Sequence, residues 1–343
     1  MVKRYILALS LLFGFTSALM AQQVSGGFHE AVIVTDNKVQ WVETFERVAG
    51  WSLVDEGSVD AGWLKLWGVD DTARYSVVAN TGAESGYIRF IQFDTIKAPR
   101  IRPNNQAWDV GGVFDLNLRV EDMAETRSAL MAHGFSGGDD PVGFTFGPFE
   151  VKEWLPSGPD GVRFAIIERV KPTLEGWPNL KKLSRAFNST MIVSNMIDAR
   201  AFWEGFMGFK PYLLHRGASA KEGPNVFGMP HNWVTKIVRD VAILHPNGIN
   251  EGSIELLTFE GLTGRDFSAN TAMPNRGISR LRFPVTGLPA LIEKAKSGGI
   301  KVIATGSDLP LSKVGRVDVA IIEAPGGAHI ELFELLDNCQ GTQ

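Results

Sequence analysis

Cysteine is all but absent from this 343-residue chain: Cys339 is the single one. One thiol cannot close an intramolecular disulfide, nor can it supply the thiolate set of a structural zinc site. A basic excess is missing too. Thirty-four Lys and Arg stand against 38 Asp and Glu, so the positive face on which nucleic-acid binding rests is not there. Helical pairs of the HxxxH type are also lacking, which removes one common way of presenting two imidazoles to a metal.

An apolar run does open the chain. In "MVKRYILALSLLFGFTSALMAQQ", Lys3 and Arg4 precede an apolar stretch of signal-peptide length, followed by small residues. The pattern predicts a secretory signal over residues 1–21, cut after Ala18 or Ala21. The stretch is short for a membrane span, and no cysteine follows it to carry a lipid. Its removal takes Lys3 and Arg4 and no acid, leaving 32 basic against 38 acidic residues. The expectation is a secreted or periplasmic protein, not held in a membrane after cleavage.

The body of the chain repeats itself. "FHEAVIVTDNKVQWVETFERVAGWSLV", from Phe28, parallels "FNSTMIVSNMIDARAFWEGFMGFKPYL", from Phe187; one inserted residue brings Gly50 onto Gly208 and Trp51 onto Phe209. "GYIRFIQF" matches "GSIELLTF" further on. A second pair, "FDLNLRVEDMAETRSALMAHGF" and "SRLRFPVTGLPALIEKAKSGGI", aligns without a gap and runs on into "GPDGVRFAIIERV" and "APGGAHIELFELL". Each unit reads strand, amphipathic helix, three strands. A helix is expected over about Asn37 to Val48, with Val39, Val42 and Phe45 on its apolar side. Units one and two make a first domain, 24–170; units three and four make a second, 185–337; the Pro-containing stretch 171–184 reads as a linker.

Four βαβββ modules that open "FHEAVIVTD" and close "PGGAHIELFEL" resemble the vicinal oxygen chelate superfamily, which includes glyoxalase I, bleomycin-resistance proteins and extradiol dioxygenases. The resemblance spans essentially the whole chain after the leader. It implies an α+β fold in which paired modules form two glyoxalase-like domains with curled mixed sheets, each enclosing a cavity. It also implies a divalent metal held by the first and last strands of the modules.

Strand alternation tests the cavity assignment independently, since residues two apart share a face. In "DLNLRV", Asp115, Asn117 and Arg119 oppose Leu116, Leu118 and Val120. In "RLRFPV", Arg280 and Arg282 oppose Leu281 and Phe283. The polar set lines the cavity, and the same register places His29, Ala31 and Ile33 there in unit one and Asn188 and Thr190 in unit three. The positions that the resemblance marks as ligands then carry His29, Arg89, Asp115 and Ala165 in the first domain. In the second they carry Asn188, Glu255, Arg280 and Glu331.

These sets depart from the family pattern, because arginine stays protonated and cannot ligate a metal. Two readings stand side by side. Either His29 and Asp115 hold a divalent metal in the first domain, or the acids pair with arginines: Asp115 with Arg89, and Arg280 clasped by Glu255 and Glu331. His29 and Asp115 are the candidate catalytic groups. Arg89, Asn117, Asn188, Arg280, Arg282, Glu255, Glu331 and His245 are candidates for holding a small-molecule ligand, and the arginines favour an anionic one. The expectation is a dioxygenase- or glyoxalase-like protein that acts on a small oxygenated molecule. The alternative is a non-catalytic binder of an anionic or aromatic ligand.

Overall fold

The computed structural model describes residues 24–137 and 140–336. The leader expected over 1–21 and Cys339 lie outside the described residues. Among those described, no helix is long and apolar enough to cross a membrane.

Four modules follow one another. The first holds β1 (Glu30–Val34), α1 (Lys38–Thr44), β2 (Ser52–Ser58), an inserted α2 (Ala61–Trp67), β3 (Ala73–Ala79) and β4 (Tyr87–Phe93). The second holds β5 (Asp115–Val120), α3 (Met123–Ala132), β6 (Ser136–Gly137), β7 (Val142–Phe146), β8 (Phe149–Trp154), β9 (Pro156–Ser157) and β10 (Arg163–Lys171). The third has β11 (Asn188–Ile192), α4 (Met196–Arg200), β12 (Lys210–Gly217), β13 (Arg239–His245) and β14 (Ser253–Phe259). The fourth has β15 (Gly277–Pro284), α5 (Leu288–Ser297), β16 (Val302–Leu311), β17 (Gly315–Glu323) and β18 (His329–Leu335).

Short polar side chains start four of the five helices by satisfying otherwise orphaned amides; at α2, Asp60 accepts from the Gly62 amide at 2.8 Å. Asn37 accepts from the Gln40 amide at 3.1 Å. Asp122 accepts from Ala124 at 2.8 Å and Glu125 at 3.0 Å. Asn195 accepts from Ile197 at 2.9 Å and Asp198 at 3.2 Å. Helices α1 and α4 both run on as π-helical turns, over Phe45–Ala49 and Ala201–Phe206. The first ends at Gly50, whose φ of 67° lies in the left-handed region that only glycine enters freely. Val39 does not face the core as expected; it is 57% exposed, and Trp41 takes the buried position.

The fold is α+β with two mixed curled sheets, as the resemblance implied. Its pairing of modules is not the expected one. The first sheet runs β16-β17-β18-β15-β1-β4-β3-β2, so module one joins module four. The second runs β12-β13-β14-β11-β5-β10-β8-β7, so module two joins module three. Each concave face is therefore shared by modules distant or offset in sequence, not by the consecutive pairs 24–170 and 185–337. The seams are antiparallel, β1 on β15 and β11 on β5.

One apolar core fills the space between the two sheets' outer faces, and the module helices are embedded in it. Trp41 of α1 stacks on Phe90 of the first sheet at 5.2 Å and lies 5.9 Å from Phe164 of the second. Trp203, just after α4, packs 5.8 Å from Phe283 of β15. Burial of such large rings dominates core energetics, which ties the four modules into one packed body. The second sheet curls until its ends meet: Phe149 of β8 stacks parallel to Tyr212 of β12 at 6.5 Å, and Phe146 lies 5.2 Å from His215.

Candidate functional site

The two concave faces carry opposite chemistry. On the first sheet, Glu30, Arg89, Arg280, Arg282 and Glu331 form a continuous buried ion network. Arg89 grips Glu30 with Nε at 2.8 Å and Nη2 at 3.0 Å. Arg282 bridges the two acids, reaching Glu30 and Glu331 at 2.5 Å each. Arg280 donates to Glu331 at 2.7 Å.

Helix α2 is the lid on this network. Trp67 donates its Nε1–H to Glu331 at 2.8 Å, and Trp63 lies under the Arg282 guanidinium at 4.5 Å. Burial alone would raise both acids, but the adjacent arginines override it. Glu30 is held below the usual carboxylate range by Arg89 and Arg282. Glu331 is pulled down to about 2 by Arg282 and Arg280.

The pairing of Arg280 with Glu331 is thus as expected, but three other assignments need correcting. Glu255 is not part of this cluster, since β14 lies in the other sheet. Arg89 pairs with Glu30, not with Asp115, which is likewise in the other sheet. His29 does not share the cavity row of β1. Glu30 and Val32 lie opposite Arg282 and Arg280, while Ala31 and Ile33 turn into the core.

Pairing Phe28 with Phe187 sets the repeat one residue out of step over the first strand. The helix caps Asn37 and Asn195 give the true register, which also aligns Gly50 with Gly208 and puts Glu30 level with Asn188. The inserted residue therefore lies before β1, not after it, and a one-residue slip turns every side chain to the other face. His29 sits half-buried at the rim, its ring 5.0 Å from Tyr87 and 5.7 Å from Phe333. Burial, with Arg282 and Arg89 nearby, lowers its proton affinity against the pull of Glu30.

On the second sheet the acids stand without arginine partners. Asp115 on β5 and Glu255 on β14 flank Thr190 of the intervening strand β11. Glu153 reaches the same space from β8, beyond β10. Asp115 is buried, and its Oδ1 has no hydrogen-bond partner. Glu153 and Glu255 are half-buried, open to the cup yet walled in by protein. Burial raises Asp115 to about 6, against the pull of Thr190, Arg163 and Arg102. Burial and the Asp115 charge raise Glu255 to about 8. Burial, with Glu255 and Asp115 nearby, drives Glu153 well above its ordinary value. The cup therefore holds Glu255 mostly neutral at pH 7 beside a largely ionised Asp115, with the proton affinity of Glu153 raised by the same surroundings.

A cleft of about 220 Å³ opens beside Glu153 and Arg163, between the loop at Asn105–Ala107 and the loop at Val226–Gly228. The Arg163 guanidinium lies 5.0 Å from the Phe114 ring, and its Nε has no partner. Asn117 donates to Asn188 at 2.5 Å, and Asn188 to Ser253 at 2.7 Å, so both expected ligand-holding amides are in this cup and knit β5, β11 and β14 together. Asn188 is buried in that chain of bonds. His245 is buried and its Nδ1 accepts from the Asn247 amide at 3.0 Å. Burial lowers it to about 4, against Glu251; it braces a turn as a neutral ring.

Neither face fits the divalent metal that the fold suggests. Arginines already neutralise the acids of the first. On the second the carboxylate oxygens are chemically suitable, but they stand on three separate strands, β5, β8 and β14. Among the described residues, no three His, Cys, Asp or Glu side chains converge on one point. His29 and Asp115, the expected metal pair, lie on different sheets.

No family model matches the sequence, and no curated protein does. Solved structures do match the fold. A mutant glyoxalase I from Zea mays superposes with a TM-score of 0.58 at 15% identity, covering 93% of this chain and 97% of its own. A putative dioxygenase from Bacillus subtilis superposes at 0.55 with 15% identity, covering 90% of this chain and 85% of its own. The architecture of this chain is that of the vicinal oxygen chelate fold.

Proposed function

We propose that this vicinal oxygen chelate-fold protein binds a small oxygenated molecule in the cup of the second sheet and acts on it by proton transfer without a resident metal. The observation that carries this reading is the asymmetry between the faces. One is sealed by α2 over paired charges; the other keeps Asp115, Glu153 and Glu255 free of ion pairs, with Glu153 lining a cleft. Unpaired buried carboxyls cost stability, and perturbed acids facing a cleft are a common mark of function. Neutral Glu255 donates a hydrogen bond to a ligand oxygen, Glu153 adds a second carboxyl of raised proton affinity, and Asp115 accepts a proton, its affinity close to neutral pH.

The test is ligand-detected NMR with a panel of small diols, hydroxyketones and catechols, run with and without a chelator. Chelator-insensitive binding that is lost in Asp115→Asn and Glu255→Ala is expected. Binding that requires added metal, or that survives both substitutions, refutes the reading. We also infer export from the basic-apolar leader; an intact Met1 on the mature protein from its native host would contradict it.

A further inference from the structure

Along β5, Asp115, Asn117 and Arg119 share the concave face, and along β10 Arg163, Ala165, Ile167 and Arg169 do the same. The far end of the cup from Arg163 therefore carries two further guanidinium groups. Arg119 is only 3% exposed, and its Nε has no hydrogen-bond partner; the Nε of Arg169 has none either.

Aromatic faces surround the pair instead. Arg119 lies 4.1 Å from the Phe187 ring and 4.8 Å from that of Trp177. Arg169 lies 3.9 Å from Phe149, which itself stacks on Tyr212. Glu251 is the acid whose charge reaches both guanidinium groups. Burial and the Arg169 charge depress Arg119 to about 10, against Glu251 and Tyr212, so the two like charges are under-compensated.

Two guanidinium groups brought together, one buried and one half-buried, with no carboxylate in contact are costly. The first sheet shows how this chain neutralises such groups when no ligand is involved: Arg280 and Arg282 are saturated by Glu331 and Glu30. Around Arg119 and Arg169 the walls are π-faces, which hold a cation without consuming its N–H donors. Apart from the one that Arg169 shares with Tyr212, those donors remain available to an oxyanion in the planar, bidentate manner that guanidinium favours.

We propose that Arg119 and Arg169 form a carboxylate-binding subsite at one end of the cup, and that the ligand is an aromatic or other planar molecule bearing a carboxylate. Four residues of strand, about 13 Å, separate Arg119 from Asp115 along β5. The carboxylate is held at the arginine end, and its polar oxygens point toward the neutral carboxyls. This names the substrate class of the site proposed above and rests on that reading for the oxygen end alone.

Benzoate is the probe, with benzamide as its uncharged analogue and inorganic phosphate as a non-planar oxyanion. Binding is measured by calorimetry and by the shift in Tm on the full chain. Benzoate is expected to bind and raise Tm, benzamide and phosphate to bind at least tenfold more weakly, and half-buried Arg169→Met to lose benzoate at least tenfold while staying folded. Glu255→Ala should keep benzoate affinity, which separates this subsite from the carboxyl cluster: diol binding that survives Glu255→Ala and Asp115→Asn, with benzoate binding retained, would fail the earlier reading and leave this one standing. No benzoate binding by the unmodified protein, equal binding in Arg169→Met, or equal affinity for phosphate overturns the proposal.

Discussion

Arg282→Met is the most informative single change in the first sheet. Arg282 is 2% exposed and joins two acids, Glu30 and Glu331, that are 1% and 0% exposed. Methionine fills much of the volume but leaves each acid with one arginine, Arg89 or Arg280. Removing one partner of a buried ion pair costs about 3–5 kcal/mol, and losing the Trp63 contact adds about 0.5–1 kcal/mol.

An independent route gives the same size. Glu331 falls from 4.5 to about 2 on folding, and at 1.36 kcal/mol per pH unit this is about 3 kcal/mol from the network as a whole. The sign follows from the lowered value. That stabilisation is fully present above pH 4.5 and is lost as the pH falls through about 2. In Arg282→Met the Glu331 value rises, so the acid-induced loss begins at a higher pH. Urea unfolding at pH 7, followed by tryptophan fluorescence and far-UV circular dichroism, should show a lower midpoint with unchanged slope. A loss under ~1 kcal/mol, or an acid limb identical to the parent's, would refute the view that Arg282 is the keystone of the network.

Trp67→Phe keeps the ring but removes the Nε1–H bond to Glu331; a loss of about 1.5–3 kcal/mol is expected by denaturant titration, as for bonds to charged groups. Asn195→Ala removes two cap bonds of α4 and should cost about 1 kcal/mol, with Asn195→Ser restoring most of it. Glu255 is raised from 4.5 to about 8, so its ionisation opposes folding. Stability should decline as the pH rises through that window, and Glu255→Gln should flatten the profile and raise Tm at pH 8–9; an unchanged profile would show that Glu255 titrates normally. Trp41→Ala, which empties the contact with Phe90 between the two sheets, should cost about 3–5 kcal/mol by urea unfolding.

Much of this protein was legible from local pattern. The βαβββ modules, their number and the cavity-facing rows of β5, β11, β14, β15 and β18 follow from period-two alternation and from repeated turns and caps. These are properties of short segments, so sequence alone determines them. The salt link between Arg280 and Glu331 was readable for the same reason, since β15 and β18 belong to one module. At His29 the aromatic match of Phe28 to Phe187 and the caps Asn37 and Asn195 give registers one residue apart, and the folded strand follows the caps.

What remained hidden was long-range. Nothing local states that module one closes on module four, yet that seam brings Arg282 to Glu30 across 252 residues and leaves Glu255 far from Arg280. The inserted helix α2 is local, but that its tryptophans seal one cavity depends on where β16 and β18 arrive. The proton affinities of Asp115, Glu153 and Glu255 depend likewise on burial and mutual repulsion inside a cup built from two modules. The residue types were set by the sequence. Which acids received an arginine and which were left to hold a proton was decided by tertiary packing, because charge interaction depends on distance and dielectric, and only the folded chain sets those.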